Sequence, residues 1–488
     1  MNLADLLLAA ADDSPALVTP TATWTRAELA SAADRVAGAI SAATEPDARV
    51  AILAGNDEHF IVAYLGILRA GRVAVPLNPS APRAELDGEI AAVGVALVIV
   101  GREQHSPTAT IPSLTTTAAL EHAPIAESVD RESNDLAVLL FTSGTAGMPK
   151  AAMLTHGNLI ANIDQVQSAP GLKFVEGDVG LGVLPFFHVF GLNVVLGLSL
   201  AARATLVCLP HFHRDESIAA ITEHRVTVIA AVPAIYHAWL DSNADAAAFA
   251  SVRLAVSGAA ALGVDTIEAL LQRFDLRVHE GYGLTEAAPI VTTTAVDAAV
   301  RPGSIGPALP GVDVRLVDRD GDDVLAGDPG EVWVRGKNVF VGYWNDADQT
   351  ARVLVDGWLR TGDIAVADDD GWLTLIDRAK DLVIVSGFNV YPGEVEAALV
   401  AHDDVEQAAV VGEPDPRSGE RVVAFVVARE GANPTATILT AHLRRRVARY
   451  KIPQRFEIVD ELPQTFAGKV LRRALRDSLR AEPIQKPA

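Results

Sequence analysis

The sequence predicts an α/β fold, with a large N-terminal domain of several subdomains built on parallel sheets and a small β subdomain, followed by a small α+β C-terminal domain. Three observations point there. Between residues 26 and 100 helical patterns alternate with short β-branched runs. The same alternation resumes after residue 150, and from about residue 300 it gives way to short strands separated by turn residues. A chain of 488 residues also exceeds what one hydrophobic core usually organises, so two or more domains are expected.

Along the chain, RAELASAADRVAGAI and HFIVAYLGILRAG carry helical spacing, while RVAILAG and ALVIVG read as strands, the rhythm of βα units. LGVLP, ATLVCLP, VTVIAAVP and RLAVSGAA read as buried strands, each closed by Pro or Gly, and sheets of this kind bind ligands at the carboxyl ends of their strands. GVDVRLVDRDGDDVL, GEVWVRG and GWLTLID make up the β subdomain over about 300–376. The charged segment DRAKD at 377–381 ends an N-terminal domain of 1–376. After it, LVIVSGFNVYPGEVEAALVAH, VEQAAVVG, RVVAFVVAREG and ILTAHLRRRVARY suggest a compact unit over 382–480, and the tail 481–488 is expected to be disordered.

Composition narrows the function classes. A net charge of −22 argues against a nucleic-acid surface, which runs on clustered Lys and Arg. The one cysteine, Cys208, excludes an internal disulfide framework and reads as a buried small hydrophobe. MNLADLLLAAADD has no basic start and is a poor secretory signal, and no uncharged apolar run reaches the ~18–20 residues of a membrane span. A soluble, cytoplasmic protein is the expectation. With seven lysines against 33 arginines, a Lys inside a Gly-rich or hinge-like segment is informative, because a compact ammonium differs chemically from a planar guanidinium.

One such Lys ends FTSGTAGMPK at 141–150. Gly144 and Gly147 allow close backbone approach, Thr142, Ser143 and Thr145 supply hydroxyls, and Lys150 supplies charge, which is the composition of a phosphate-cradling loop. It is not a Walker loop, since no Gly precedes Lys150 and Ala151 follows it. Taken alone, the run reads equally well as a solvent-exposed turn. VHEGYGLTEAAP at 278–289, TGD at 361–363, DRAKD, and LPQTFAGKVLRR at 462–473 complete an ordered set.

Together these motifs resemble the adenylate-forming superfamily, in particular its acyl-coenzyme A ligases, and the resemblance covers nearly the whole chain. It implies activation of a carboxylate by ATP to an acyl-adenylate and pyrophosphate, then transfer to coenzyme A, with Mg²⁺ required. Thr142, Ser143, Gly144, Thr145 and Lys150 would wrap the β- and γ-phosphates, and Tyr282 would pack on adenine. Thr285 and Glu286 would serve the α-phosphate and Mg²⁺, and Asp363 and Arg378 the ribose. Lys469 would bridge the carboxylate and the α-phosphate, and His188, in LPFFHVFGLN, would gate the acyl pocket. Gly258 and Ala259 in SGAA join the binding residues. Lys380 would be the hinge of a mobile C-terminal domain, and Gly387 the narrowest point of the pantetheine tunnel.

The acid pocket should draw on 188–194, 234–236, 257–260 and 281–290, which are small or apolar and carry no evident Arg for a second carboxylate. A hydrophobic monocarboxylic acid is therefore expected, fatty or aryl. Where the family usually has a hydroxyl and a Gly, this chain has Ala146 and Ala151, which implies weaker ATP binding through a lost hydrogen bond to a charged group, worth ~1.5–3 kcal/mol. An acyl-AMP ligase loading an acyl carrier protein is a second reading, and a non-catalytic nucleotide-binding relic a third. A monomer or homodimer is expected.

Overall fold

The computed structural model describes residues 1–102, 111–142, 150–296, 301, 303–318, 320–378, 381–385, 388–415, 419–465, 468 and 470–481. The chain forms two compact units, Met1–Val314 with Val334–Arg360, and Arg315–Trp333 with Thr361–Ala488.

The larger unit is built on two sheets whose central strands are the β-branched runs of the sequence. One has six strands in the order Ser113–Thr115, Leu97–Val100, Arg49–Leu53, Val73–Pro76, Leu136–Thr142 and Lys150–Thr155. All its pairings are parallel except the last, which is an antiparallel hairpin. The other has eight, in the order Ile290–Thr293, Val278–Gly283, Leu254–Ser257, Val228–Ala231, Val179–Gly182, Thr205–Cys208, Pro15–Val18 and Thr23–Thr25. Strands Val278–Gly283 through Pro15–Val18 run parallel. Leu254–Ser257 and Val228–Ala231 are buried at every position, as strands covered on both faces must be. The expected helices are Arg26–Ala43, opened by a Thr25–Glu28 capping box, and Glu58–Arg69, capped by Asp57. Cys208 is 1% exposed, the buried small hydrophobe the sequence suggested.

The small β subdomain is a five-stranded sheet of Val312–Val317, Gly330–Gly336, Trp358–Ala367 and Leu354–Val355 in that order, with Leu373–Arg378 paired to Trp358–Ala367.

The α+β region of the second unit shows why period-two patterning settles a sheet. On the paired strands Val405–Asp415 and Gly419–Ala428, Val410, Val422, Ala424 and Val426 face helices Pro392–Val400 and Ala436–Leu443. The intervening Ala409, Val411, Val423, Phe425 and Val427 pack with Leu475 and Leu479 of helix Arg472–Ala481. Asp381 is 7% exposed and accepts from Arg476 Nη2 at 2.6 Å, and Arg472 donates to Glu396 at 2.8 Å, so charge closes what apolar packing begins. Lys380 lies outside the described residues, as does the tail from 482. Among the described residues, no helix is long and apolar enough to cross a membrane.

The first helix, Leu3–Leu7, is held by a buried histidine. Leu3 N donates to His156 Nδ1 at 2.9 Å, and His156 is fully buried at the start of helix His156–Ser168. Burial, helped by the Arg131 charge, pushes its pKa down from 6.5 to about 4. The unfolded chain takes up this proton near pH 6.5 and the folded chain only near pH 4. The stabilisation is therefore complete above pH 6.5 and is lost as the pH falls through that window, by up to ~3 kcal/mol. Denaturation midpoints measured from pH 7 to pH 4 are expected to fall less steeply for His156→Gln than for the wild type; identical slopes would refute the assignment.

Candidate active site

FTSGTAGMPK joins two antiparallel strands rather than a strand and a helix. Thr142 pairs with Lys150 across the hairpin, and Thr142 Oγ1 donates to Lys150 O at 3.4 Å. Ser143, Gly144 and Thr145 lie outside the described residues. Strand alternation separates the next two side chains. Lys150 is half-buried, while the Ala151 side chain, 5% exposed, packs into a core cluster with Leu139 and Val75. A methyl at 151 thus fills apolar space.

Segment 341–344 lies along strand Lys150–Thr155. Val341 N donates to Met153 O at 3.2 Å, Met153 N to Gly342 O at 2.9 Å, and Trp344 N to Ala151 O at 2.8 Å. This pairing carries Tyr343 to Lys150, whose Nζ stands 5.3 Å from the ring centroid. At the ring's hydroxyl, Tyr343 Oη donates to Glu286 Oε1 at 2.6 Å. Burial, then the Glu286 charge and this hydrogen bond, push the Tyr343 phenol far above its ordinary range, so it stays a donor.

Glu286 belongs to the short 3₁₀ turn Thr285–Ala287, which follows strand Val278–Gly283 and leads through a left-handed Ala288 (φ 63°) and the cis Ala288–Pro289 bond. The turn closes Ala287 N to Leu284 O at 2.9 Å and Ala288 N to Thr285 O at 3.3 Å, and Phe340 N donates to Glu286 O at 2.8 Å; three buried asparagines supply partners for the backbone that follows. Asn338 Nδ2 donates to Ala287 O at 2.8 Å and Asn193 Nδ2 to Ala288 O at 2.8 Å. Asn162 both donates to Ile290 O at 2.8 Å and accepts from Ile290 N at 3.2 Å. Gln165 bonds Asn162, Asn338 and Gly311 O, and Asn158 donates to Lys337 O and Val339 O. Asn158, Asn162 and Gln165 lie at i, i+4 and i+7, one stripe of helix His156–Ser168.

Tyr282, 8% exposed, pairs with Thr292 at the carboxyl end of its strand. One strand over, Gly258 and Ala259 follow Leu254–Ser257. The ring of Phe190 lies against Gly258, where a Cβ would stand 3.2 Å from two ring carbons, and Ala259 is left-handed at φ 70°. Glu280 is 6% exposed and accepts from Leu262 N at 3.0 Å, tying this turn down; burial raises its pKa.

His188 follows strand Val179–Gly182, and its segment is clamped by Asn56, which donates to Leu184 O at 2.6 Å and accepts from Phe186 N at 3.0 Å. The backbone then enters the π-helix Phe190–Gly197, where Gly191 has no room for a side chain, a Cβ there being 2.2 Å from Pro185 O. His188 is open to solvent yet walled by protein, and that desolvation lowers its pKa, so it is neutral at pH 7. Of the expected acid pocket, Phe190, Gly258 and Gly281 come together. Ile235 and Tyr236 do not line an open cavity: both are buried, and Tyr236 Oη donates to Val256 O at 2.9 Å as part of the core.

In the second unit, Asp363 and Arg378 are direct cross-strand partners. Asp363 is 7% exposed, and its N–H donates to Thr361 Oγ1, which itself donates to Val332 O. The loop of Lys469 is closed by a Gln464–Val470 bridge and turns at a left-handed Gly468 (φ 77°). Lys469 and Gly387 themselves lie outside the described residues. Sequence reasoning missed Tyr343, Asn162, Asn193 and Asn338, and only the Asn158, Asn162, Gln165 stripe offered a periodic signal.

Comparison with known proteins fits this geometry. The family model for AMP-binding enzymes matches residues 8–344, and that for the AMP-binding enzyme C-terminal domain matches 394–469. A long-chain-fatty-acid–CoA ligase from Yersinia pestis is 35% identical, over 88% of this chain and 85% of its own. Feruloyl-CoA synthase from an Amycolatopsis species is 36% identical over 93% of each chain. ATP-bound MatB from Rhodopseudomonas palustris has a TM-score of 0.92 at 34% identity over 99% of both chains. The o-succinylbenzoate CoA synthetase of Bacillus subtilis, in complex with its acyl-adenylate OSB-AMP, has a TM-score of 0.88 at 28% identity, over 99% of this chain and 98% of that one.

Asn338→Leu strips Ala287 O and Gln165 Nε2 of a buried partner, and is expected to lower the unfolding free energy by ~1–3 kcal/mol in urea titrations. The same exchange at the exposed Asn243 serves as the control and is expected to leave it unchanged.

Proposed function

The chain belongs to the AMP-binding, adenylate-forming enzyme family, and from that premise we propose that it activates a hydrophobic monocarboxylic acid. The acid and ATP give acyl-adenylate and pyrophosphate, and the thiol of coenzyme A then displaces AMP to give the acyl-CoA thioester. The observation that carries this reading is the convergence of Lys150, the last residue of FTSGTAGMPK, with Tyr343 and Glu286.

A carboxylate is a poor electrophile and is repelled by triphosphate, so the site must screen charge and align the attacking oxygen with the α-phosphorus. Lys150 supplies the ammonium, and Thr142 with Ser143, Gly144 and Thr145 the loop around the β- and γ-phosphates. Thr285 faces the α-phosphate, Tyr282 and the Gly258–Ala259 turn pack on the base, and Asp363 accepts from the ribose hydroxyls with Arg378 beside it. Lys469 spans the carboxylate and the α-phosphate. His188, neutral and accessible, guards the acid pocket without adding a charge that would trap the carboxylate in its ground state.

Glu286 suits Mg²⁺. Among the described residues no group of three His, Cys, Asp or Glu surrounds it, and Mg²⁺ characteristically takes one or two carboxylates and fills its remaining positions with substrate phosphates and water. When bound, the ion neutralises triphosphate charge. Lys380 is the pivot that withdraws Lys469 before the thiol enters, past Gly387.

The pocket residues Phe190, Gly258 and Gly281 favour an apolar acid, and the 36% identity to feruloyl-CoA synthase makes an aryl acid the second reading beside a fatty acid. Pyrophosphate release with ATP, Mg²⁺ and a panel of fatty and aryl acids tests the first half-reaction; repeating it with CoA and with a phosphopantetheinyl carrier protein tests the acceptor. No release with any acid would refute the reading. Lys469→Ala is expected to abolish acid-dependent pyrophosphate release while leaving thioester formation from supplied acyl-adenylate largely intact, and an equal loss in both would remove Lys469 from this role.

A further inference from the structure

Lys150 and Glu286 carry opposite charges and meet the same aromatic side chain, Lys150 over its ring and Glu286 at its hydroxyl, and among the described residues they form no ion pair with each other. Left to themselves, a flexible ammonium and a carboxylate at this range would pair, and each would then be engaged when a polyanion or a cation arrived. Tyr343 stands between them. Its hydroxyl satisfies Glu286 Oε1, and its ring face offers the Lys150 ammonium a weak resting place. The ring itself cannot easily move away. Tyr343 is 8% exposed, stacks edge-on against Phe340 at 5.0 Å, bridges Ala152 through its backbone, and donates its N–H to Thr350 Oγ1 at 2.9 Å.

Resting on the nucleotide-binding reading above, we propose that Tyr343 is a positioning residue that keeps the phosphate-binding Lys150 and the carboxylate of Glu286 apart, so that each is available to its own ligand. The exchange on binding is then asymmetric. Lys150 leaves a cation–π contact, which a phosphate oxygen readily outcompetes, instead of an ion pair, which it would have to break. Glu286 keeps its bond to the phenol throughout and stays oriented.

The test reads ATP affinity by calorimetry without divalent metal, so it needs no acid substrate. Tyr343→Leu removes both the hydroxyl and the ring face, lets the two charges meet, and is expected to weaken ATP binding roughly fivefold or more. Adding Glu286→Gln abolishes the competing ion pair, so Y343L/E286Q is expected to return to within about twofold of E286Q alone, which a merely structural role for Tyr343 would not produce. Tyr343→Phe keeps the ring but releases Glu286 Oε1, and is expected to weaken ATP binding about two- to threefold, less than Y343L. Equal weakness of Y343L and Y343L/E286Q overturns the proposal. Should Y343L fail to fold, Y343F still decides, since a loss there that Y343F/E286Q recovers supports the proposal, and no loss, or a loss that E286Q leaves in place, overturns it. ATP binding without any acid-dependent pyrophosphate release would strike the proposed reaction and leave the spacer standing, whereas a wild-type chain that binds no ATP overturns both.

Discussion

A carbonyl that leaves water must be met by a donor, and the larger unit's candidate site depends on how that constraint is satisfied around residues 285–290. The turn bearing Glu286 closes Ala287 N to Leu284 O and Ala288 N to Thr285 O, but the carbonyls of Ala287, Ala288 and Ile290 that follow are buried where solvent cannot meet them. Carboxamides from helix His156–Ser168, the π-helix and the segment after Gly336 do so instead. Each such bond is worth only ~1 kcal/mol net, but leaving its partner bare costs ~1–3 kcal/mol, so the set admits essentially one conformation of the turn. Neutral amides also suit the place electrically, because they fix a carboxylate's backbone without contributing a charge that would pair with it.

The same helix does two further things. His156 at its start holds the chain's first helix, and its capping box uses Asn158, whose amide also reaches the backbone of 337 and 339. Those residues lead into 341–344, the segment that lays Tyr343 against Lys150. One helix thus relays position from the hairpin strand, through amides, to both the carboxylate and the phenol. The geometry of three charged or polar side chains is inherited from backbone pairing and not from their own rotamer preferences.

The sheets were legible because their signal is local. Runs such as VTVIAAVP and RLAVSGAA announce buried parallel strands by β-branching and by the Pro or Gly that ends them, and they are neighbours in the eight-stranded sheet. The register of Asp363 with Arg378 follows from an ordinary antiparallel pairing of the TGD and DRAKD strands, but no spacing rule shows that the two would face each other. Most of the amide network was missed because its contacts join residues 128, 95 and 51 positions apart, and an isolated Asn reads as a turn former. Tyr343 sits 57 residues from Glu286 in a segment without periodicity. The π-helix escaped notice because a short run such as FGLNVVLG, apolar but for Asn193, has no polar face from which to tell a helix of one pitch from another. Ala151, a departure from the family pattern, shows what strand alternation adds, since it places the methyl in the core.

The burial of Cys208 has a bearing on what the chain makes. Acyl-adenylates and acyl thioesters are electrophiles that pass readily to any nearby thiolate. The chain's one sulfhydryl lies buried at the carboxyl end of strand Thr205–Cys208, and burial together with the Asp57 and Glu58 charges raises its pKa well above the ordinary value. It is thus kept both protonated and out of reach. An enzyme that manufactures activated acyl groups is in this way spared from acylating itself on sulfur, and the only thiol its intermediate can meet is one brought in from outside.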